Sequence, residues 1–216
     1  MLTVQHFEFS PIMENTYVLF NETGDCIIID PGCYDEREEL YLKAFISDNG
    51  LHPRLLLNTH CHLDHVFGNR FIYQTWKLEL HLHPNEKIVL DYAPEAGKRW
   101  NLPFNNYNGP LHFIKGGDII RLGADELLVI EAPGHSPGHV CFYSKTQEFL
   151  IGGDVLFRNS IGRTDLPGGN HTQLLESIRS RLFTLPDTVR VYPGHGASTT
   201  IGYEKKHNPF LVSSER

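Results

Sequence analysis

Apolar and polar positions alternate at the start of the chain. Leu2, Val4 and His6 are interleaved with Thr3, Gln5 and Phe7, and this period of two predicts an opening strand. Short β-branched or apolar runs follow at 16–20 and 26–30, separated by Asn21-Glu22-Thr23-Gly24, which reads as a hairpin turn. Asp30-Pro31-Gly32 ends the second run. Over 35–48 the spacing changes: Leu40, Ala44 and Phe45 lie opposite a charged face, which predicts an amphipathic helix. A short buried strand is predicted at 54–58 and a helix at 65–77, with Val66, Phe67, Phe71, Ile72 and Trp76 on its apolar face. Residues 93–110 are rich in Pro, Gly, Asn and aromatics without periodicity, so they predict a long surface loop or lid. Strand patterns return at 111–114, 119–121, 126–132, 140–144 and 149–153. A helix over 170–182 places Leu174, Leu175, Ile178 and Leu182 at helical spacing; a last core strand at 189–192 and a short tail element at 203–206 complete the chain. The pattern runs without a linker or repeat, predicting one domain over 1–216 in which sheets are sandwiched between helices.

Composition narrows the function classes. An apolar share of 40% and a charged share of 21% are ordinary for a globular chain and argue against disorder. The net charge of −7 opposes binding along a phosphate backbone, and the longest basic cluster is Lys205-Lys206, so no nucleic-acid partner is expected. No stretch approaches the ~20 apolar residues of a membrane span, and no membrane partner is expected. The first ten residues lack the basic and apolar regions of a secretory signal. Cys26, Cys33, Cys61 and Cys141 show no CxxC spacing; together these features predict reduced thiols and a cytoplasmic location.

The thirteen histidines are the anomaly. His60-x-His62-x-Asp64-His65 offers four metal ligands within six residues, at the end of a predicted strand and the start of a helix. Loops at strand ends are where α/β folds place their sites. Imidazole nitrogen with carboxylate oxygen suits zinc, and also iron or manganese. Three further candidates follow apolar strands: His135 in Ala-Pro-Gly-His, Asp154 in Ile-Gly-Gly-Asp and His195 in Tyr-Pro-Gly-His, each preceded by a glycine that lets the backbone turn tightly. Seven ligands exceed what one tetrahedral ion uses and suit two adjacent metals sharing a carboxylate. Other polar residues have plainer readings. His81 and His83 lie on a predicted strand before Pro84 and read as structural or exposed; His139 reads as support for a ligand. Cys61, between two ligands, should point away from them. Asp30 is either the partner of a metal histidine's second N–H or a simple turn former. Arg163 and His171 are candidates for substrate contact, against ordinary loop polarity and helix capping. Trp100, Phe104 and Tyr107 either cover a cleft or pack their own loop down.

This constellation resembles the metallo-β-lactamase superfamily, and especially its short glyoxalase II-like (hydroxyacylglutathione hydrolase-like) thioesterases. The likeness covers nearly the whole chain. It extends to Asp30-Pro31-Gly32, Gly134-His135-Ser136-Pro137-Gly138-His139, Gly152-Gly153-Asp154 and the run from Gly162 through Arg163, Asp165 and Pro167 to Gly169. The resemblance implies an α+β fold, the four-layer αββα sandwich. It implies that His60, His62 and His135 bind one metal, that Asp64, His65 and His195 bind a second, and that Asp154 bridges the two, with two Zn²⁺ expected per chain and Fe or Mn as substitutes. The implied activity is hydrolysis of acyl-thioesters, S-lactoylglutathione or a related hydroxyacyl thioester, through a metal-bridging hydroxide oriented by Asp64.

The chain departs from full-length glyoxalase II enzymes. It stops soon after Asn208-Pro209-Phe210, where those enzymes carry a basic helical segment that binds glutathione. Gly196-Ala197 stand where an aromatic residue is usual, and Arg163 and Asp165 replace the Lys and Tyr of the substrate loop. Two other reactions of the same superfamily are alternatives. A mononuclear-iron glutathione persulfide dioxygenase of the same fold would use one histidine of the run with His135 and Asp154. A lactone or β-lactam hydrolase of the same superfamily is the other, with the lack of an export signal weighing against a periplasmic antibiotic defence. The expected partner is a small-molecule thioester, and the expected state is monomer or homodimer.

Overall fold

The computed structural model describes residues 1–212. The chain divides into two compact units, Met1–Ile114 with Arg121–Glu126, and Lys115–Ile120 with the residues from Leu127 onward.

The first unit is built on a six-stranded sheet in the order β1 (Thr3–Phe9), β2 (Glu14–Phe20), β3 (Asp25–Ile29), β4 (His52–Leu57), β5 (Leu80–Leu82) and β6 (Leu111–Phe113). The β1–β2–β3 meander is antiparallel, and pairing is parallel from β3 to β6. Cys26 to Ile29 of β3 are all buried, as are the last two residues of β4, so these strands read as continuous apolar runs, not alternations. Helix α1 (Glu36–Asp48) begins where the sequence predicts but buries a different face, since Leu40 is 56% exposed and Ala44 is exposed. Asp35 caps it by accepting from the Glu38 N–H, Glu36, Glu38 and Glu39 suit the positive end of the helix dipole, and Leu42 and Ile46 face the core.

Two element boundaries also differ from those the sequence predicts. The helix over 65–77 is two helices, α2 (Leu63–Val66) and α3 (Asn69–Trp76). The break falls at Gly68, whose N–H donates to Pro31 O at 2.7 Å. A Cβ at Gly68 would lie 2.3 Å from Cys33 Sγ, so the loop after β3 occupies the space a side chain would need. The second correction concerns 93–110, which begins inside a helix, α4 (Lys87–Arg99). Pro94 sits within it and cannot donate to Leu90 O, which instead accepts from Asn106 Nδ2 at 2.7 Å. The later loop therefore supplies the donor that the proline removes. It also packs: Phe104 meets Phe67 edge-on at 4.9 Å, and the buried Tyr107 hydroxyl donates to Pro110 O and accepts from the Leu80 N–H. Trp100 stays half exposed. His81 and His83 are structural, as expected. His81 stacks on His112 at 4.7 Å, with its imidazolium disfavoured by burial and by His112, and the His83 ring accepts from the Asn85 N–H.

The second unit carries its own sheet and core. Its sheet runs β14 (Thr199–Thr200), β13 (Arg190–Pro193), β10 (Phe149–Gly153), β9 (Val140–Ser144), β8 (Asp125–Glu131) and β7 (Ile119–Leu122), apart from Arg121–Glu126 at the β7–β8 turn, which group with the first unit; β10 and β13 are parallel, and β11 (Leu156–Phe157) and β12 (Ser160–Ile161) form a small separate hairpin. Asn170 caps α5 (His171–Ser177), which continues as one π-helical turn over Ile178–Leu182. Leu174, Ile178 and Leu182 pack with Leu150 and Val191. The predicted tail element is a helix, α6 (Ile201–His207), capped by Thr200.

Two outcomes are expected from this packing. Gly134 has φ +133, and a Cβ there would lie 2.4 Å from Leu174 Cα, so Gly134→Ala should cost roughly 3 kcal/mol in thermal or urea unfolding. An unchanged midpoint would refute the close approach. All four cysteines are buried, and burial raises the thiols of Cys26 (to about 12), Cys33 and Cys61. The native protein should therefore resist alkylation at pH 8 and take up reagent at every cysteine once denatured, as counted by mass spectrometry.

Candidate metal centre

The donor residues of the first unit gather around Asp30. The chain leaves β3 through this residue in left-handed backbone, φ 49, which Asp tolerates better than most side chains. Its carboxylate is buried and fully used as an acceptor. Oδ1 accepts from the Thr59 N–H at 2.7 Å and from Asn58 Nδ2 at 3.0 Å; Oδ2 accepts from Thr59 Oγ1 at 2.5 Å and faces His65 Nδ1 at 3.1 Å. The shared hydrogen in that last contact must come from His65, which fixes its Nδ1–H tautomer and makes Nε2 the lone-pair nitrogen. That Nε2 stands 3.8 Å from Asp64 Oδ2. Thr59 has given its hydroxyl hydrogen to Asp30, so in its 3.1 Å contact with His60 it accepts from Nδ1–H, and His60 Nε2 likewise carries the lone pair. Ligand atoms of Asp30, His60 and His65 all lie within 4.8 Å of one another, and the His60 ring meets that of His62 at 4.8 Å, nearly perpendicular. Of the two readings of Asp30, the structure selects the partner of a histidine's second N–H.

Further residues hold this arrangement, and the sequence did not single them out. Asn58 Nδ2 donates a second bond to His65 O, and its Oδ1 accepts from Asn69 Nδ2. The Cys61 N–H donates to Glu86 Oε2 at 2.8 Å, with both residues fully buried and the Cys61 side chain in the apolar core, as its position between two donors led one to expect. Glu14, in strand β2, which is buried up to Leu19, lies 3.7 Å from His65 Nδ1; burial raises its carboxyl well above the ordinary value, opposed by His65. Its Oε2 accepts from Thr16 Oγ1, which accepts in turn from the Gly32 N–H. A Cβ at Gly32 would fall 2.0 Å from Glu14 Oε2 and 2.7 Å from Asp64 O, so the glycine of Asp30-Pro31-Gly32 is required here. A Glu inside a Val- and Tyr-containing strand gives no sequence signal of this role.

In the second unit the donors gather around Asp154, at the end of β10. His135 donates Nδ1–H to Arg163 O at 2.8 Å, which turns its Nε2 toward Asp154 Oδ2 at 3.5 Å. His195, after β13, presents Nε2 to the same oxygen at 3.7 Å. Each separation is too long for a good hydrogen bond and is of the size found between two donors that share an ion. His139 supports the group as expected: its Nε2 accepts the Asp154 N–H at 3.0 Å. Gly162 admits this packing, since a Cβ there would lie 1.9 Å from Asp154 O. Arg163 serves His135 through its carbonyl. Its guanidinium makes a two-bond pair with Asp165, holding that exposed carboxyl down at about 2, while His171 is an exposed residue of the first turn of α5.

Each unit thus carries oriented imidazoles beside a carboxylate, with Nδ1 committed to an oxygen in His60, His65 and His135. That donor chemistry fits a divalent metal. Comparison with known proteins agrees. Residues 10–195 match the model of the metallo-beta-lactamase superfamily, and the chain belongs to that superfamily of metal-dependent hydrolases. It is 34% identical over 214 residues to the hydroxyacylglutathione hydrolase GloC of Haemophilus influenzae, covering 98% of this chain and 99% of GloC. Among solved structures it resembles the BLEG-1 B3 metallo-beta-lactamase (TM-score 0.90, 36% identity, 97% of this chain and 100% of that one) and TTHA1623 in a di-iron-bound form (TM-score 0.86, 38% identity, 96% and 100%). The fold is accordingly the α+β metallo-β-lactamase fold with its two sheets. No helix among the described residues is long and apolar enough to cross a membrane.

Asp30→Ala would strand the donors of Thr59, Asn58 and His65. It should cost roughly 3 kcal/mol or more of stability and weaken metal binding by roughly 10- to 100-fold in chelator competition. Retention of wild-type affinity would remove Asp30 from the support of the site.

Proposed function

We propose that the chain hydrolyses acyl-thioesters, with S-lactoylglutathione or a closely related hydroxyacyl thioester as substrate, and that its two donor sets serve one two-metal centre. In this reading His60, His62 and His135 hold one ion, Asp64, His65 and His195 hold the other, and Asp154 is shared. The observation that carries the reading is the orientation of the donors. Three histidines commit Nδ1 to an oxygen acceptor, which leaves Nε2 as the coordinating atom, and Asp64 and Asp154 face the Nε2 atoms of His65 and His135 at 3.8 and 3.5 Å. Superfamily membership and the match to GloC over nearly both full lengths support the choice of substrate class. Zinc is the expected metal; the di-iron form of TTHA1623 supports iron as the substitute.

When bound, such ions supply Lewis acidity and lower the pKa of a coordinated water toward neutrality. The chain's own residues do the rest. Asp30, Thr59 and the Arg163 carbonyl hold the imidazoles in register, and His139 fixes Asp154 through its backbone. Asp64 accepts the hydrogen bond of the attacking water and orients it toward the thioester carbonyl. Arg163 and His171 contact the substrate in this reading, with Arg163 exchanging its bond to Asp165 for an acidic group of the thiol portion. The buried thiols support a reducing, cytoplasmic setting.

The likeness to BLEG-1 makes β-lactam hydrolysis the second reading. Metal analysis of the purified protein, with S-lactoylglutathione and a β-lactam assayed side by side, separates the two. Two metals per chain and rapid thiol release are expected. Turnover of the β-lactam alone would replace the proposal, and one iron with oxygen uptake on glutathione persulfide would change the reaction class. Asp64→Asn should lower kcat by roughly 10²- to 10³-fold; full turnover with both metals retained would remove Asp64 from the reaction.

A further inference from the structure

The first sheet ends in an edge with a definite pattern of backbone groups. β1 is its terminal strand, paired on one side with β2 from Thr3↔Phe20 to Phe9↔Glu14. Two hydrogen bonds show which residues of β1 face the other way. The His6 carbonyl accepts from the exposed Gln5 Nε2 at 2.8 Å, and the Ser10 N–H, four residues on, donates to Glu38 Oε1 of α1 at 2.9 Å. In an antiparallel strand the N–H and C=O of one residue point to the same side, and successive residues alternate. Val4, His6 and Glu8 therefore direct their backbone groups outward, and Thr3, Gln5, Phe7 and Phe9 direct theirs to β2.

The side chains divide along the same strand. His6 and Glu8 are exposed, whereas Phe7 and Phe9 are buried and stacked at 5.6 Å. Tyr41 of α1 lies edge-on to both phenylalanine rings and is 62% exposed. A cleft of about 500 Å³ runs beside the strand, lined by Gln5 to Phe9 with Arg37, Glu38 and Tyr41. An aromatic floor next to an outward row of backbone donors and acceptors is the form of a strand-addition site.

We propose that this edge is a homodimer interface in which β1 pairs antiparallel with β1 of a second copy about a two-fold axis at Phe7. Complementarity between the His6 imidazole, a ring N–H donor, and the Glu8 carboxylate selects the occupant and the register. With the axis at Phe7, His6 lies opposite Glu8 of the second copy and Glu8 opposite its His6. Both are outward-facing residues, so each pair also exchanges backbone hydrogen bonds. A shift of the axis to His6 would set His6 against His6 and Val4 against Glu8, losing both pairings. Phe7 meets Phe7 over the cleft, where the two Tyr41 rings gain cover. The contact is isologous, and it closes the exposed edge of each copy.

Sedimentation velocity on the full-length protein tests this, with wild type compared with His6→Glu, Glu8→His and the double exchange. Far-ultraviolet circular dichroism and thermal melting verify the fold of each variant. His6→Glu sets Glu opposite Glu and should weaken dimerisation by at least about tenfold, as should Glu8→His, which sets His opposite His. The double exchange restores both pairs and should return the dimerisation constant to within about threefold of wild type. A wild-type protein that is monomeric up to about 100 μM overturns the proposal. So does a dimer insensitive to the single changes, or a double exchange that leaves the chains apart.

Discussion

At the end of β3 a carboxylate is removed from water and surrounded by donors: the Thr59 backbone and hydroxyl, the Asn58 amide and the His65 ring. An unpaired charge in that place would be prohibitive, so the local structure is obliged to bring these groups together. The consequence runs outward in sequence. Binding Thr59 sets the path of the chain leaving β4, and binding His65 sets the start of α2. His60, between them, has its tautomer chosen through the threonine hydroxyl. A single buried anion thereby converts a flexible, histidine-rich turn into a set of aimed lone pairs. Asp154 in the second unit is held by another means, through its own backbone N–H to His139, which leaves its Oδ2 directed at two imidazoles.

Glycine is what lets these polar shells pack so tightly. At Gly32 and Gly162 the neighbouring atoms are oxygens, closer than any side chain would allow. At Gly68 and Gly134 the neighbours are a thiol sulfur and a helix backbone, so these positions join the donor loops to the apolar cores behind them. The Gly-rich motifs are therefore steric conditions for the site as much as turns, and they explain why donor residues follow strands so abruptly.

Much of this was legible in the sequence because it rests on periodicity and on dense local signals. The opening meander, the extent of α1, the strands before His60 and Asp154, and the helix after Asn170 all follow from local pattern. What stayed hidden depends on partners distant in the chain. Pro94 and Gly97 read as helix breakers, since the donor that makes the proline tolerable is Asn106, in a loop without pattern of its own. The division of 65–77 into two helices depends on Cys33 and Pro31 lying against Gly68. Glu14 and Glu86 are ordinary acidic residues in sequence, and only the assembled sheet and the turn after β5 reveal them as buried acceptors. Asp30 stood between two readings because a turn former and a histidine partner share the same residue type.

Cys61 has a consequence of a different kind. It is the soft donor nearest the histidines in sequence, and the bond from its N–H to Glu86 goes with a thiol turned into the hydrocarbon core. What remains at the surface of the turn is nitrogen and oxygen alone. A thiolate would have biased the site toward soft, thiophilic ions, whereas an imidazole and carboxylate set accepts several first-row metals with affinities that follow their general order. Selection among them then passes from the protein to its surroundings. The same polypeptide made under iron-rich or zinc-rich growth would emerge as chemically different preparations, each a record of the metal pool in which it folded.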